Sequence, residues 1–459
     1  MSEDQDATQY ADTSGREPPE IGLEPHVEAI KMPDNLRVGL MLAHEREACA
    51  RRGCHDDFYA LAFGQSPFHV PPSLSRALGN AATHGHYSDA AGIGELREAV
   101  ADFNTRHFGL EVDPSRIFIG PGTKDLFHIL FDVVAGDIVI PSPSWIGYSP
   151  QITLLDKRFH VLRLDPKEGY RLQPEALDSF LALLPAGQYT LVLNNPHNPT
   201  GVVYSAQELE AIAEVCRRHH TLVLADEIYA LTTYDFESFV SMGRIYPEGT
   251  FVTNGISKDR SAGGYRLGSC IMPERCSDEL KAAFTKVAAT VYTNVSTPTQ
   301  FAAIEVYEPN PHIEHYFSVC REIHRMMGSF LSREFNSIEG IRTTTPAGAF
   351  YFFADFNELA DDLIRRGVAA SNDLAGALIE HPHHLAVVTG DACLLASEDF
   401  GARIAFVDYD GKAAFADYEA SKPHGPREED EFVRRNAPRM VAAVDALQNW
   451  VDWVRAESD

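Results

Sequence analysis

YTLVLNNPHNPTGVVYSAQELEAIAEVCRRHHTLVLADEIY, residues 189–229, holds a strand, a loop, a helical pattern and a second strand in one continuous stretch. Both strand runs are apolar without polar alternation, as in a strand covered on both faces. The same alternation extends outward on both sides. RIFIG (116–120) precedes the helical KDLFHILFDVV (124–134), and DIVIPSP (137–143) follows. TFVTNGISK (250–258) and YRLGSCIMP (265–273) come later. Apolar strands alternating with helices predict a mostly parallel sheet between two helical layers, an α/β domain over residues 57–309.

From about His312 the pattern changes. A long helix, HIEHYFSVCREIHRMMGSFLSREF, is followed by an aromatic strand, AFYFFADF, two more helical patterns and the strand ARIAFVDY. This predicts a smaller α+β domain over residues 310–459, joined by an N-terminal segment, 23–56, that packs with it. Residues 408–432 are polar, charged and rich in turn residues, and read as a surface insertion. Residues 1–22 hold few apolar side chains and several acids and prolines. Such a stretch buries too little to offset its ordering entropy and reads as a disordered acidic arm.

The bulk composition excludes several classes. The 459 residues carry 66 acidic against 39 basic side chains, a net charge of -27, which repels nucleic acid and anionic lipid. The start is too acidic and polar for a signal peptide, and no apolar run reaches membrane-spanning length. Seven cysteines (Cys49, Cys54, Cys216, Cys270, Cys276, Cys320 and Cys393) are scattered without a metal-like CxxC pair, as expected of a reduced, cytoplasmic compartment. His381, His383 and His384 hint at a metal, but HPHH on a polar loop reads as solvated imidazole, and no metal is assigned.

The chemistry gathers at strand ends. Lys258 directly follows an apolar strand, where poor solvation lowers the ammonium pKa and frees the amine for imine formation. Asp226 and Tyr229 lie at the carboxyl end of an apolar strand, the edge where open α/β sheets bind ligands. A carboxylate there can pair with a protonated pyridine nitrogen, although Asp226 alone reads equally well as a helix N-cap. Asn195-Pro196-His197-Asn198-Pro199-Thr200-Gly201 is forced into an extended, turned loop. Gly122, Thr123 and Lys124 join a strand to a helix, so their N–H groups can converge on one phosphate. Their spacing matches neither a P-loop nor a dinucleotide fingerprint.

Taken in order, NNPHNPTG, ADEIY, NGISK and GYRLG resemble the class I and II aminotransferase family of fold type I pyridoxal-phosphate enzymes. The resemblance implies a pyridoxal 5'-phosphate cofactor held as a Schiff base on Lys258, with Asp226 on the pyridine nitrogen and Asn198 and Tyr229 on the ring 3-oxygen. Trp145 would stack on the ring face. Gly122, Thr123, Lys124, Ser257 and Arg266 would hold the phosphate, and Tyr87 would reach the phosphate of a neighbouring subunit in a homodimer. Arg403 would bind the substrate carboxylate, beside Asn198 and Gly64. One departure is Gly255, where many relatives have a hydroxyl residue; Ser257 is the candidate replacement.

The implied reaction is ping-pong transfer of an α-amino group from an amino acid to a 2-oxo acid. The alternatives are elimination or ring closure on the same scaffold, as in aminocyclopropane-carboxylate synthases, whose SKD wording recurs at Ser257 to Asp259, and a non-catalytic cofactor sensor. The short acidic start disfavours the sensor. VYTNVSTPTQ (291–300) contains no second arginine for a distal carboxylate, which leans towards neutral or aromatic donors.

Overall fold

The computed structural model describes residues 21–28, 30, 32–380 and 382–456. The expected arm, 1–22, lies almost wholly outside the described residues, as does His381 of the histidine cluster.

The 189–229 unit folds as its pattern dictates. Tyr189–Asn194 and Leu222–Asp226 are adjacent parallel strands, the first buried at every position. The helix between them, Ala206–Arg218, opens on a capping box formed by Ser205 and Glu208 and ends on Arg217 and Arg218. Hydroxyl and carboxylate satisfy the first N–H groups there, and the terminal charges oppose the helix dipole. Leu209, Ile212, Ala213, Val215 and Cys216 form its buried face.

Seven strands complete this sheet, in the order Ile117–Gly120, Gly268–Ile271, Thr250–Gly255, Leu222–Asp226, Tyr189–Asn194, Asp137–Ser142 and Phe159–Arg163. All neighbouring pairs are parallel except those of Gly268–Ile271, which runs against both its neighbours. The α/β expectation is therefore met, with helices such as Thr123–Val133 and Ala206–Arg218 supplying the apolar cover.

A second, antiparallel sheet orders Val388–Thr389, Gly401–Ala405, Tyr351–Asp355 and Arg342–Thr343. It packs with the 26-residue helix Pro311–Asn336, which Asn310 caps by accepting from the His312 N–H. On the N-terminal helix Asp34–Arg52, Val38 and Leu42 are buried against Ala375, Ile379 and Val388.

Two expectations need correction. Residues 408–432 are not a turn-rich insertion: Gly411–Ser421 and Pro426–Asn436 are helices, and Ala414, Phe432 and Val433 enter the core. Asp410 caps the first by accepting from the N–H groups of Lys412 and Ala413, and Pro426 begins the second, so the polar residues are simply the solvent faces of amphipathic helices. The cysteines are not all scattered either. Cys49 and Cys54 are joined as a disulfide, while Cys216, Cys270, Cys276, Cys320 and Cys393 are free. Among the described residues, no helix is long and apolar enough to cross a membrane.

Candidate active site

The carboxyl ends of the central strands open on a cavity of about 470 Å³. Gly64, Thr123, Lys124, Trp145, Asn198, Asp226, Tyr229, Ser257, Lys258 and Arg266 all line it. Residues separated by as much as two hundred positions in sequence thus meet because parallel strands deliver their ends to one edge.

Lys258 follows Thr250–Gly255, and its Nζ donates to the Gly64 carbonyl at 2.7 Å. Burial, with the nearby cations Arg403 and Arg266, pushes its pKa down to about 8 against the opposing pull of Asp226. Desolvation and like charge both disfavour the ammonium form. Asp226 ends the adjacent strand and is buried, which raises its carboxyl to about 6. Its Oδ2 accepts a 2.6 Å hydrogen bond from the phenol of Tyr148, and its Oδ1 accepts from the Ile228 N–H; both bonds favour the carboxylate.

The Asn-Pro loop is tied to the same strand end. Asn194 Nδ2 donates to the Asp226 carbonyl at 2.8 Å, the Asn195 N–H donates to that carbonyl at 3.0 Å, and the Asn198 N–H donates to Asn194 Oδ1 at 2.6 Å. These bonds present Asn198 to the cavity. Trp145 forms the facing wall, braced edge-on by Phe127 and Tyr148.

At the opposite end the helix Thr123–Val133 starts from Gly122, whose φ of 94° suits glycine. A Cβ there would lie 2.5 Å from Arg266 Nη2, and one on Gly268 would lie 2.8 Å from the Thr123 nitrogen. The cradle is therefore closed to side chains but lined by N–H groups, a helix N-terminus and Arg266. That donor set fits a single phosphate, and the buried carboxylate of Asp226 fits the cationic end of an aromatic ring.

Gly255 has a packing reason: a Cβ there would meet the Leu267 carbonyl at 2.7 Å. Arg403 lies in Gly401–Ala405 at 3% exposure, its guanidinium 4.8 Å from the Tyr351 ring centroid. Nη2 donates to the Ala62 carbonyl at 2.6 Å and Nη1 to Asn198 Oδ1 at 3.4 Å, while Nε finds no partner. Among the described residues no carboxylate forms an ion pair with it. Gly122 and Arg403 do not line the cavity themselves but adjoin it through Arg266 and Asn198, whereas Tyr87 stands apart, 88% exposed and away from its own chain's cavity.

Two participants escape the sequence motifs. Tyr148 is three residues beyond Trp145 and reaches Asp226. Tyr351, in AFYFFADF, places its Oη 3.0 Å from that of Tyr229 and occupies the space a Cβ on Gly64 would need. Each sits beside a site residue far away in sequence, so only an aromatic amid apolar neighbours marked them.

Comparison with known proteins identifies the family. Residues 57–408 match the family model described as aminotransferase class I and II. Aspartate aminotransferase of Bacillus subtilis is 29% identical over 359 residues, 76% of this chain and 87% of that protein. Aspartate/prephenate aminotransferase of Thermus thermophilus is 30% identical over 349 residues, covering 75% and 87%. The structure of the Thermus thermophilus aspartate aminotransferase with maleate superposes with a TM-score of 0.77 at 25% identity, covering 94% of this chain and all of that one.

Proposed function

Because the chain belongs to the class I and II aminotransferase family and is a pyridoxal 5'-phosphate-dependent aminotransferase acting on amino and 2-oxo acids, we propose the following assignment of its residues. When bound, the cofactor supplies an aldehyde for the amino group and a ring that takes up the electron pair left at the substrate Cα. Lys258 provides the amine that holds it and carries the proton to and from Cα. With a pKa near 8, a useful share of that amine is neutral at physiological pH. Asp226, whose ionised form the Tyr148 hydroxyl favours, would pair with the cofactor's ring nitrogen; Tyr229 and Asn198 would hold its 3-oxygen, Trp145 would cover the ring, and Gly122, Thr123, Lys124, Ser257 and Arg266 would hold the phosphate.

Arg403 binds the carboxylate of donor and acceptor alike, with Gly64 alongside, and so fixes which Cα bond points at Lys258. This buried arginine, without a carboxylate partner among the described residues and close enough to depress Lys258, is the observation that carries the reading. An unpaired buried guanidinium is costly unless an anionic ligand completes it.

The donor we favour is dicarboxylic, which revises the lean towards neutral or aromatic donors. The relatives named above are aspartate and aspartate/prephenate aminotransferases. Lys124 lines the cavity with its Nζ 5.6 Å from the Trp145 ring centroid and makes no salt bridge among the described residues. Its backbone N–H serves the phosphate while its ammonium meets a distal carboxylate. Elimination or ring closure finds no support among these relatives. We further propose a cytoplasmic homodimer in which Tyr87 completes the neighbouring site.

A donor screen with 2-oxoglutarate as acceptor tests the assignment. Aspartate should exceed leucine and phenylalanine at least tenfold in kcat/KM, and Lys124→Met should erase that preference while sparing the neutral donors. Equal or better use of neutral donors by the unaltered enzyme would overturn the dicarboxylic reading.

A further inference from the structure

We propose that the Tyr351 hydroxyl donates its proton to the oxygen of Tyr229 and so turns the Tyr229 hydroxyl towards the cavity as a fixed donor, which makes Tyr351 a positioning residue for the cofactor's 3-oxygen. The inference rests on the assignment of Tyr229 to that oxygen made above. The two phenols come from different sheets. Tyr229 lies just beyond the strand Leu222–Asp226, whereas Tyr351 opens the strand Tyr351–Asp355 of the antiparallel sheet. Their rings meet edge to face, with centroids 5.7 Å apart at 89°, and their oxygens stand 3.0 Å apart.

Distance alone does not say which hydroxyl donates, but a count of protons and acceptors does. Burial raises both phenols above their ordinary range, so each brings one proton. Tyr351 is 1% exposed, does not line the cavity, and hydrogen-bonds through its hydroxyl to Tyr229 alone among the described residues. Tyr229 does line the cavity. An anionic oxygen placed there can only accept, so it takes the Tyr229 proton, and the one donor left for the bond between the phenols is Tyr351. The reverse order would aim the lone pairs of Tyr229 at an anion.

Tyr351 is also held against turning away. Its ring lies under the Arg403 guanidinium, 4.8 Å from centroid to carbon, on a strand paired with the one that carries Arg403. Its hydroxyl fills the space beside Gly64, where even a Cβ would collide with it. The Gly64 carbonyl in turn accepts from Lys258 Nζ, so one short segment holds both the phenol and the amine in register.

The consequence is electrostatic. The nitrogen that links Lys258 to the bound cofactor carries a proton facing the 3-oxygen, and each donor to that oxygen makes the proton easier to lose. A hydrogen bond to a charged oxygen moves such a pKa by about one to two pH units. A second donor feeding the first in a dry setting strengthens it by roughly a quarter.

The absorbance of the cofactor-loaded enzyme, followed against pH without substrate, reports that proton directly. Tyr351→Phe should raise the midpoint by about 0.3–0.5 pH unit, and Tyr229→Phe by about one or more. Because one hydroxyl acts through the other, adding Tyr351→Phe to Tyr229→Phe should move the midpoint no further. Meta-fluorotyrosine at position 351, a stronger donor of nearly the same shape, should lower the midpoint instead, and it stands in should the phenylalanine variant not fold. A merely structural hydroxyl would leave the midpoint in place in both. A rise with Tyr229→Phe but none with Tyr351→Phe, or equal steps in the single and double backgrounds, would overturn the inference and leave the Tyr229 assignment standing. A midpoint unmoved by Tyr229→Phe would overturn both.

Discussion

Replacing Tyr148 by phenylalanine removes one hydroxyl and leaves the ring contacts with Trp145 and Phe127 in place. The lost bond is the 2.6 Å donation to Asp226 Oδ2 inside a fully buried setting. A hydrogen bond to a charged group is worth about 1.5–3 kcal/mol. At about 1.4 kcal/mol per pKa unit, that loss raises the Asp226 carboxyl by roughly one to two units. From about 6 in the cofactor-free chain, it moves to roughly 7–8, and the ionised share at pH 7 falls from about nine in ten to between a half and a tenth. If cofactor capture requires the carboxylate, the ratio of dissociation constants, variant over unaltered, should be about 2–10 at pH 7, grow towards pH 6 and vanish by pH 9. Absorbance titration of the apoenzyme with pyridoxal phosphate across that range measures it. A ratio that stays flat with pH would refute the electrostatic role and leave Tyr148 as mere packing.

Three other outcomes are expected. Arg403→Lys loses the fork that spans Ala62 and Asn198, so kcat/KM for amino acids should drop about a hundredfold or more, while slow reaction of a simple amine lacking the carboxylate stays constant in steady-state assays. Lys258→Met should stabilise the apoenzyme. Because the folded pKa of about 8 lies below the ordinary 10.5, the unfolded chain binds more protons between these values, and burying the amine costs stability that is lost in full below pH 8 and regained as pH rises through 10.5. The variant's gain in urea unfolding should therefore be up to about 3 kcal/mol near pH 7, less about 1 for the bond to the Gly64 carbonyl, and shrink towards pH 10. A gain independent of pH would contradict this. Gly255→Ser, which adds the hydroxyl that the family resemblance leads one to expect there, should cost about 1–3 kcal/mol by the same measurement, since its Cβ must displace the Leu267 carbonyl.

Those residues that lie at the end of an apolar strand are legible one motif at a time. Asp226 closes, and Lys258 and Asn198 shortly follow, a run whose burial is evident from composition, and the rule that parallel strands share an active edge then brings them together. Tyr148 and Tyr351 are not legible in this way, because their partners lie 78 and 122 positions distant and an aromatic among apolar residues looks like core. Residues 408–432 mislead for another reason. Their acids, glycines and prolines dominate the composition, yet Asp410 and Pro426 sit where helices begin, and only Ala414, Phe432 and Val433 need be apolar for the helices to dock. The Cys49–Cys54 pair depends on a left-handed Gly53, a turn that spacing alone does not reveal.

The reversed strand Gly268–Ile271 sets a mechanical constraint on how this protein can vary. The chain leaves the sheet at Gly255 and re-enters it at Gly268, beside Thr123, with Arg266 facing the cradle, so the seven positions between Lys258 and Arg266 act as a tether of set length between the covalent anchor and the charged one. Inserting or deleting a single residue there would let one anchor reach its place only by pulling the other away. Length changes should therefore accumulate elsewhere in the chain, while this short span tolerates substitution far better than resizing.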